Sequence, residues 1–153
     1  MKSIDDLLTE QPLFSDLDPE HRRLVAGCGR LRRFEAGAWI LKEGAAADMF
    51  YSIRKGQVAL GIHVPERGDV VIETVGEGGV LGWSWLFPPY KVQFDARAVT
   101  AAATIEFDGA CLRRKCDADP VLGYALMKRF ASVMAARLQA TRVQFLDVYG
   151  NAR

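Results

Sequence analysis

The feature that most constrains the fold is a series of short apolar segments between residues 31 and 107, separated at short intervals by glycine or proline. These segments are rich in β-branched and aromatic residues, which favour strands over helices. The predicted strands cover 38–42, 49–54, 57–64, 69–75, 80–81, 94–100 and 103–108. We expect one hairpin to turn at Lys55-Gly56 and a second at residues 65–68. Many short strands with frequent turns predict a β-sandwich or a jelly-roll barrel.

Two short helices are predicted before these strands. The first covers 4–12 and ends at Pro12, which cannot continue a helix. The second begins at Asp18, because aspartate is a favourable N-cap and the following Pro19 suits the first helical position. It ends at Gly27.

A long helix is predicted at the end of the chain. Asp119-Pro120 forms an N-cap and first helical residue, and no further proline occurs before Tyr149, so the helix is roughly 45 Å long at about 1.5 Å per residue. Along it, a seam of mostly apolar residues recurs in steps of three and four, the spacing of a coiled coil. The seam consists of Tyr124, Met127, Ala131, Met134, Leu138, Thr141, Phe145 and Val148. We expect a parallel homodimer through this seam, and packing of the helix on its own barrel is the alternative.

Composition and the ends of the chain narrow the class of protein. We divide the chain into a barrel unit with its N-terminal helices, 1–118, and the long helix, 119–153. Half of the 153 residues are apolar and the formal net charge is +1, which is typical of a globular domain and not of a disordered chain. Neither a signal peptide nor an apolar run of the ~20 residues needed to span a bilayer is present. We therefore expect a cytoplasmic protein with no membrane partner.

The residues that usually carry redox, metal or nucleophilic chemistry are few and scattered. Cys28, Cys111 and Cys116 contain no Cys-x-x-Cys pair, so we expect reduced, partly buried thiols and neither a disulfide framework nor a zinc or iron–sulfur site. His21 and His63 are far apart and are expected at the surface. No Ser-His-Asp, Cys-His or Walker-type pattern occurs. The sequence therefore predicts no enzyme, no metal and no cofactor.

Two helices, a glycine-punctuated barrel and a long final helix together resemble a known family. It is the cyclic-nucleotide-binding domain of bacterial regulators in the catabolite-activator and fumarate-nitrate-regulator superfamily. The resemblance is carried by PLFSDLDPEHRRLV, FEAGAWILKEGAAADMFYSIRKGQVAL and DPVLGYALMKRFASVMAARLQATRVQFLDVYG. It implies a mainly β fold with flanking helices, a double-stranded β-helix or jelly roll, whose last helix dimerises. Family regulators continue into a helix-turn-helix module, for which YGNAR leaves no room, so we expect no direct DNA binding unless the chain is truncated.

The resemblance places the family's phosphate-binding cassette at LGWSWLFPPYKVQFDARAV, residues 81–99. In the family a glycine and a glutamate open a short helix, and an arginine about ten residues later neutralises the cyclic phosphate. Here Gly82 matches the glycine, whereas Trp83 stands at the glutamate position and Val92 at the arginine position. Phe94 lies where the family prefers a small residue. Two polar side chains of the cassette are therefore replaced.

Polar groups nearby leave several alternatives open. The backbone amides of Ser84 and the residue before it remain available to an anion. Lys91 or Gln93 could replace the missing arginine if the loop shifts by one residue. Arg97 is expected on the outer face of the barrel in an ion pair with Asp95, two residues away on the same strand.

The pocket predicted at the cassette is apolar and aromatic, with Trp83, Trp85, Phe87, Tyr90 and Phe94 as its walls. Such walls suit a carboxylated or aromatic small molecule. The sequence thus predicts a non-enzymatic regulatory sensor that does not bind cyclic AMP or cyclic GMP in the usual way. Two alternatives stay open: a cyclic-nucleotide receptor with a substituted cassette, and a ligand-free scaffold in which Trp83 fills the pocket and the long helix recruits a partner.

Overall fold

The computed structural model of the chain describes residues 1–151, apart from the side chains of residues 149 and 151. The helices are α1 (Ile4–Leu8), α2 (Pro19–Ala26), α3 (Gly109–Ala118) and α4 (Pro120–Asn151), with a 3-10 turn at Ser84–Leu86. The strands are β1 (Gly29–Phe34), β2 (Trp39–Leu41), β3 (Met49–Lys55), β4 (Val58–Val64), β5 (Gly68–Val75), β6 (Val80–Leu81), β7 (Asp95–Ala98) and β8 (Ala102–Asp108).

The strands form two four-stranded antiparallel sheets, in the orders β1-β8-β3-β6 and β2-β7-β4-β5. This is the predicted jelly roll with flanking helices. The second predicted hairpin is confirmed, because β4 and β5 pair from Val58↔Val75 to Val64↔Gly68. The first is wrong as a pairing: β3 and β4 meet at Gly56 but belong to different sheets, with β3 paired to β6 and β8. The turn carries the chain from one sheet to the other, which a two-sheet fold requires.

Capping residues account for the helices that the sequence predicts. Asp18 caps α2 by accepting a hydrogen bond from the amide of Glu20 at 2.9 Å, with Pro19 as the first helical residue. Asp119 accepts from the amide of Leu122 at 3.2 Å as α4 begins. The first helix is shorter than predicted, because it ends at Leu8 and gives way to turns before Pro12.

Two elements were not predicted. Strand β1 pairs with β8 from Gly29↔Phe107 onward, but its GRLRRF sequence is dominated by exposed arginines and lacks the apolar pattern of a strand. Helix α3 follows β8 directly and is capped by Asp108, which accepts from the amide of Cys111 at 3.1 Å. Leu112 is its only fully buried large side chain, so its apolar signal is weak.

Two apolar clusters hold the domain together. The barrel cluster lies between the two sheets and consists of Phe34, Leu41, Ala47, Tyr51, Ile53, Val58, Leu60, Val75, Leu81, Val92, Ala96, Ala98 and Ala102. The helix-side cluster packs the helices against the first sheet and contains Leu7, Leu8, Leu13, Phe14, Leu17, Val25, Cys28, Phe50, Val80, Trp85, Ile105, Phe107, Leu112, Leu122, Leu126 and Phe130. The first third of α4 therefore belongs to the folded domain.

The expectation of three reduced thiols is wrong. Cys28 and Cys111 form a disulfide with their Cα atoms 5.9 Å apart, and only Cys116 is free. The two partners are 83 residues apart in sequence. They meet because β1 pairs antiparallel with β8, and chain spacing alone does not reveal that pairing.

The two histidines lie in different surroundings. His63 is exposed and 3.0 Å from Asp69, whereas His21 is half-buried and 3.4 Å from Asp119. Among residues 1–151, no three His, Cys, Asp or Glu side chains converge on one point. In the same part of the chain, no helix combines the length and the hydropathy needed to cross a bilayer.

Candidate ligand-binding cassette

The cassette is the connection from β6 to β7. It begins with a glycine because the backbone there adopts a conformation that other residues rarely adopt. Gly82 has φ +91°, in the left-handed region that side-chain-bearing residues rarely adopt. A Cβ at Gly82 would meet nothing closer than 3.7 Å, so the constraint comes from the backbone and not from crowding. The 3-10 turn Ser84–Leu86 follows, with Trp83 at its N-cap and Ser84 buried.

Trp85 is a core residue. It is 1% exposed, its ring stacks on Phe50 at 4.8 Å between centroids, and it meets Phe130 of α4 edge-on at 5.4 Å. Its indole N–H has no hydrogen-bond partner among the described residues. Trp85 therefore anchors the cassette in the helix-side cluster instead of lining a cavity.

Trp83 lies between the barrel and α4. It is half-buried, packs against the helix-side cluster, and contacts Phe94 edge-on at 6.4 Å between ring centroids. On its other side the guanidinium carbon of Arg137 lies 4.9 Å from the centre of the ring. Trp83 is thus not one of the side chains that fill the barrel, and its ring connects the cassette to the long helix.

Arg137 is the residue of this site that the sequence analysis missed. Its side chain is 14% exposed, Nη2 donates to the carbonyl of Val80, and Nε lies 3.8 Å from Glu73 Oε1. Nη1 is buried and has no hydrogen-bond partner among the described residues. Burial lowers the pKa of Arg137, and the nearby Glu73 offsets this only in part. The sequence signal was an arginine in register with Phe130 and Val133 on the buried side of α4.

The backbone fixes which side chains after the 3-10 turn point inward. The amide of Val92 donates to Ala45 O, and its carbonyl accepts from the amide of Gly44, both at 2.8 Å. Val92 is 7% exposed and belongs to the barrel cluster, whereas Lys91 and Gln93 are exposed. The one-residue shift that would turn Lys91 or Gln93 inward would break both backbone bonds.

The predicted ion pair between Arg97 and Asp95 is wrong, although Arg97 is exposed as expected. Arg97 Nε donates to the carbonyl of Gly37 at 2.8 Å, and its guanidinium lies over the ring of Trp39 at 5.0 Å. Asp95 instead accepts from the amide of Glu43 at 2.8 Å. These partners lie in β2 or directly beside it. The pairing of β2 with β7 brings them to Arg97 and Asp95, and the local sequence does not show that pairing.

A buried carboxylate on β8 was also missed. Glu106, 1% exposed, accepts from Arg30 Nε at 2.5 Å, from Arg32 Nη1 at 2.6 Å and from the hydroxyl of Tyr51 at 2.9 Å. Burial alone would raise the pKa of Glu106, but the hydrogen bonds from Arg32, Tyr51 and Arg30 outweigh it and the net pKa is lowered. Burial, followed by the bond to Glu106, raises the pKa of Tyr51. This cluster ties β1, β8 and β3 together.

The predicted seam lies on a different side of α4 from the residues that pack on the domain. Leu122, Leu126 and Phe130 are fully buried, whereas every seam position except Met134 is exposed. Met134 is half-buried against the helix-side cluster. The helix thus presents an exposed row that includes Tyr124, Met127, Ala131, Leu138, Thr141, Phe145 and Val148.

The chain is a double-stranded β-helix domain of two antiparallel sheets. A glycine-led cassette connects β6 to β7, and a long helix closes over the cassette. Residues 31–119 match the model of the family described as "Cyclic nucleotide-binding domain". This match covers more than half of the chain, and the chain belongs to that family.

Individual relatives agree with this assignment. The chain is 27% identical over 139 residues to the cAMP-activated global transcriptional regulator CRP of Salmonella typhimurium. The match covers 87% of this chain and 64% of CRP, so the chain spans just under two thirds of that relative's length.

Solved structures agree on the fold. A putative cyclic nucleotide-binding protein from Geobacter metallireducens superposes with a TM-score of 0.80 at 28% identity, over 90% of this chain and 99% of that one. The sensor domain of the transcriptional regulator DNR from Pseudomonas aeruginosa superposes with a TM-score of 0.69 at 21% identity, over 87% of this chain and 89% of that one. The second likeness bears on the fold alone.

Proposed function

We propose that this domain is a non-enzymatic regulatory sensor whose cassette does not hold a cyclic nucleotide in the usual manner of its family. The observation that carries the proposal is the contact between Trp83 and Arg137, at the position where the family places a glutamate. An aromatic ring stacked under a cation from α4 occupies the place of a side chain that would accept a hydrogen bond from the ligand.

The electrostatics of the barrel support this proposal. Val92, at the family's arginine position, is buried in the barrel cluster and offers no charge. A cyclic phosphate placed beside it would lose its hydration without gaining a bidentate cation, which is costly for a buried charge. Phe94 adds a second aromatic ring here, because it packs against the barrel cluster and contacts Trp83 edge-on.

The same contact gives a route for a signal. A ligand that displaces the Trp83 ring must also break its contact with Arg137, which in turn donates a hydrogen bond to the carbonyl of Val80 in β6, just before the cassette. Because a ligand shifts a conformational equilibrium only through its different affinity for two states, such a coupled contact can link occupancy to the position of α4. The aromatic rings of Trp83 and Phe94 favour a small carboxylated or aromatic effector.

The exposed seam of α4 supports a homodimer. A helix of 32 residues with an exposed row of mostly apolar side chains at coiled-coil spacing is expected to pair with a second copy. A cytoplasmic location, the absence of direct DNA binding, and the division into units 1–118 and 119–153 stay predictions.

A cyclic-nucleotide receptor is the second candidate. Family membership favours it, and so does the similarity to a regulator described as cAMP-activated. Gly82, which opens the cassette in the family, keeps its left-handed conformation.

Calorimetric titration of the full chain with cyclic AMP and cyclic GMP separates the two candidates. The sensor proposal predicts a Kd weaker than about 1 mM for both, equivalent to a binding free energy weaker than about −4 kcal/mol. Binding tighter than about 1 μM that is lost in Gly82→Pro would overturn it in favour of the receptor. A thermal-shift panel of small aromatic carboxylates, repeated on Arg137→Met, then searches for the effector.

A further inference from the structure

Helix α3 lies between three parts of the molecule. Its first residue, Gly109, packs so closely on the cassette that a Cβ there would lie 2.8 Å from Trp85 Cβ. Its last turn approaches α4, where Cys116 faces Gly123. A disulfide from Cys111 fixes its first turn to Cys28, between α2 and β1. Breaking or forming this disulfide therefore acts on α3, the helix that touches both the cassette and α4.

We propose that the Cys28–Cys111 disulfide is a reversible thiol–disulfide exchange site for a dithiol reductant, and that its state sets how firmly α3 holds the cassette. The inference does not depend on which ligand the cassette binds.

Access to the disulfide is the first requirement. Cys28 and Cys111 both line a surface cavity of about 310 Å³, together with Arg30, Met49 and Asp108. Cys28 itself is buried, whereas Cys111 is half-buried. The cavity thus brings an external thiolate to the Cys111 side of the bond.

The exchange is a two-step transfer of two electrons. The reductant's first thiolate attacks the sulfur of Cys111, the protein S–S bond breaks, and Cys28 leaves as a thiolate that takes up a proton. The reductant's second thiolate then attacks the mixed disulfide at the reductant's own sulfur, and Cys111 leaves. The reductant ends as a disulfide and the protein as two thiols. Cys111 is the third residue of a ten-residue helix, a position that stabilises a departing thiolate.

The third cysteine does not compete for the bond. Burial, with added repulsion from Asp117 and Asp119, raises the pKa of the Cys116 thiol, so that it stays protonated and is a poor nucleophile. Re-oxidation is therefore directed back to Cys28 and Cys111.

The effect of reduction reaches the cassette through the contacts that α3 makes with it. Arg113 Nη1 donates to the carbonyl of Trp85 at 2.6 Å, and its guanidinium lies 4.4 Å from the centre of the Tyr90 ring. Towards α2, a bond of 2.7 Å from Lys115 Nζ to Leu24 O accompanies the disulfide. Reduction removes the covalent bond between the first turn of α3 and Cys28. The helix is then less firmly fixed, and Arg113 holds the cassette less rigidly.

Hydrogen exchange of the full chain with and without dithiothreitol, in native buffer, tests the proposal, and alkylation with mass spectrometry counts the free thiols. We expect Cys28 and Cys111 to become alkylated while the protein remains folded. The amides of residues 83–90, apart from the two prolines, should exchange about tenfold faster after reduction. Oxidation with a small disulfide should reverse both changes. Cys116→Ser should respond like the wild type, and Cys28→Ser/Cys111→Ser should match the reduced protein without any reagent.

Two outcomes would overturn the proposal. In one, the disulfide is reduced only at denaturant concentrations that unfold the whole chain. In the other, it is reduced in the folded protein, but exchange at 83–90 does not change. If Cys28→Ser/Cys111→Ser fails to fold, the reduced wild type alone still decides between these outcomes. None of these readouts involves a ligand, so they stand or fall separately from the titrations with cyclic nucleotides.

Discussion

The contact between Arg137 and Trp83 joins the cassette to α4, as the contact between Phe130 and Trp85 also does, and a double-mutant cycle measures its strength. Trp83→Leu removes the aromatic ring. Arg137→Met removes the charge but keeps a long unbranched side chain. The double variant completes the cycle, and the coupling free energy is the part of its destabilisation that the two single changes do not explain.

The expected magnitude follows from the geometry. The guanidinium carbon lies 4.9 Å from the ring centre, and the Arg137 side chain is only 14% exposed, so water screens the pair weakly. Cation–π contacts contribute about 0.5–1 kcal/mol at exposed sites and about 2 kcal/mol when desolvated, which places this pair near 1.5 kcal/mol. The hydrogen bond from Arg137 to Val80 is lost with or without the ring, so it cancels from the cycle.

Urea unfolding followed by far-ultraviolet circular dichroism, at one protein concentration, gives the free energy of unfolding of all four proteins. Thermal melts supply a second reading, because about 1 kcal/mol shifts Tm by roughly 2–4 °C in a domain of this size. The matched control pairs Arg137→Met with Trp39→Leu, since the Trp39 ring contacts Lys42 and Arg97 instead. We expect the control to be additive. A Trp83–Arg137 coupling below about 0.3 kcal/mol would refute the link.

Two further predictions concern the seam and the buried carboxylate. If the proposed homodimer forms, Leu138→Glu should convert it to a monomer in sedimentation, because Leu138 is 53% exposed on the seam. The neighbouring Gln139→Glu should leave the mass unchanged, and an unchanged mass for Leu138→Glu contradicts the proposed dimer. Glu106→Gln should lower the free energy of unfolding at pH 7 by about 2 kcal/mol, through the loss of charge-assisted hydrogen bonds. Because the folded pKa of Glu106 lies below its ordinary value, this stabilisation is present above the unfolded pKa and disappears as the pH falls through the folded pKa. The difference between wild type and Glu106→Gln should therefore shrink in acid, and a constant difference in pH-dependent urea unfolding would contradict the assignment.

The sequence correctly predicted those elements whose position depends on residues close to them in the chain. The N-caps Asp18 and Asp119, each followed by a proline, correctly predict where α2 and α4 begin. The alternating residues and turn of the β4–β5 hairpin predict its pairing. The glycine at position 82 is predictable too, because it is required by the left-handed backbone conformation of that residue and not by a contact with a distant part of the chain.

Features that depend on distant pairing could not be predicted in this way. Glu106 is tolerable inside the sheet only because β1 brings two arginines to it, and nothing near Glu106 in the sequence shows that. The Cys28–Cys111 disulfide depends on the same pairing. Arg137 was not predicted as a site residue, because the coiled-coil spacing of α4 marks its exposed seam, whereas the residue that meets the cassette lies on the buried side of the helix.

Our central proposal is that Trp83 and Val92, which replace the family's glutamate and arginine, prevent this member of the family from binding cyclic nucleotides in the usual way. The most direct test restores both family side chains in Trp83→Glu/Val92→Arg and titrates wild type and variant with cyclic AMP by calorimetry, after checking that both melt cooperatively. We predict that the wild type binds cyclic AMP with a Kd weaker than about 1 mM. The double variant should bind at least about a hundredfold more tightly than this limit, a gain of about 2.7 kcal/mol. Micromolar binding by the wild type, or a folded double variant that still fails to bind, would contradict the account.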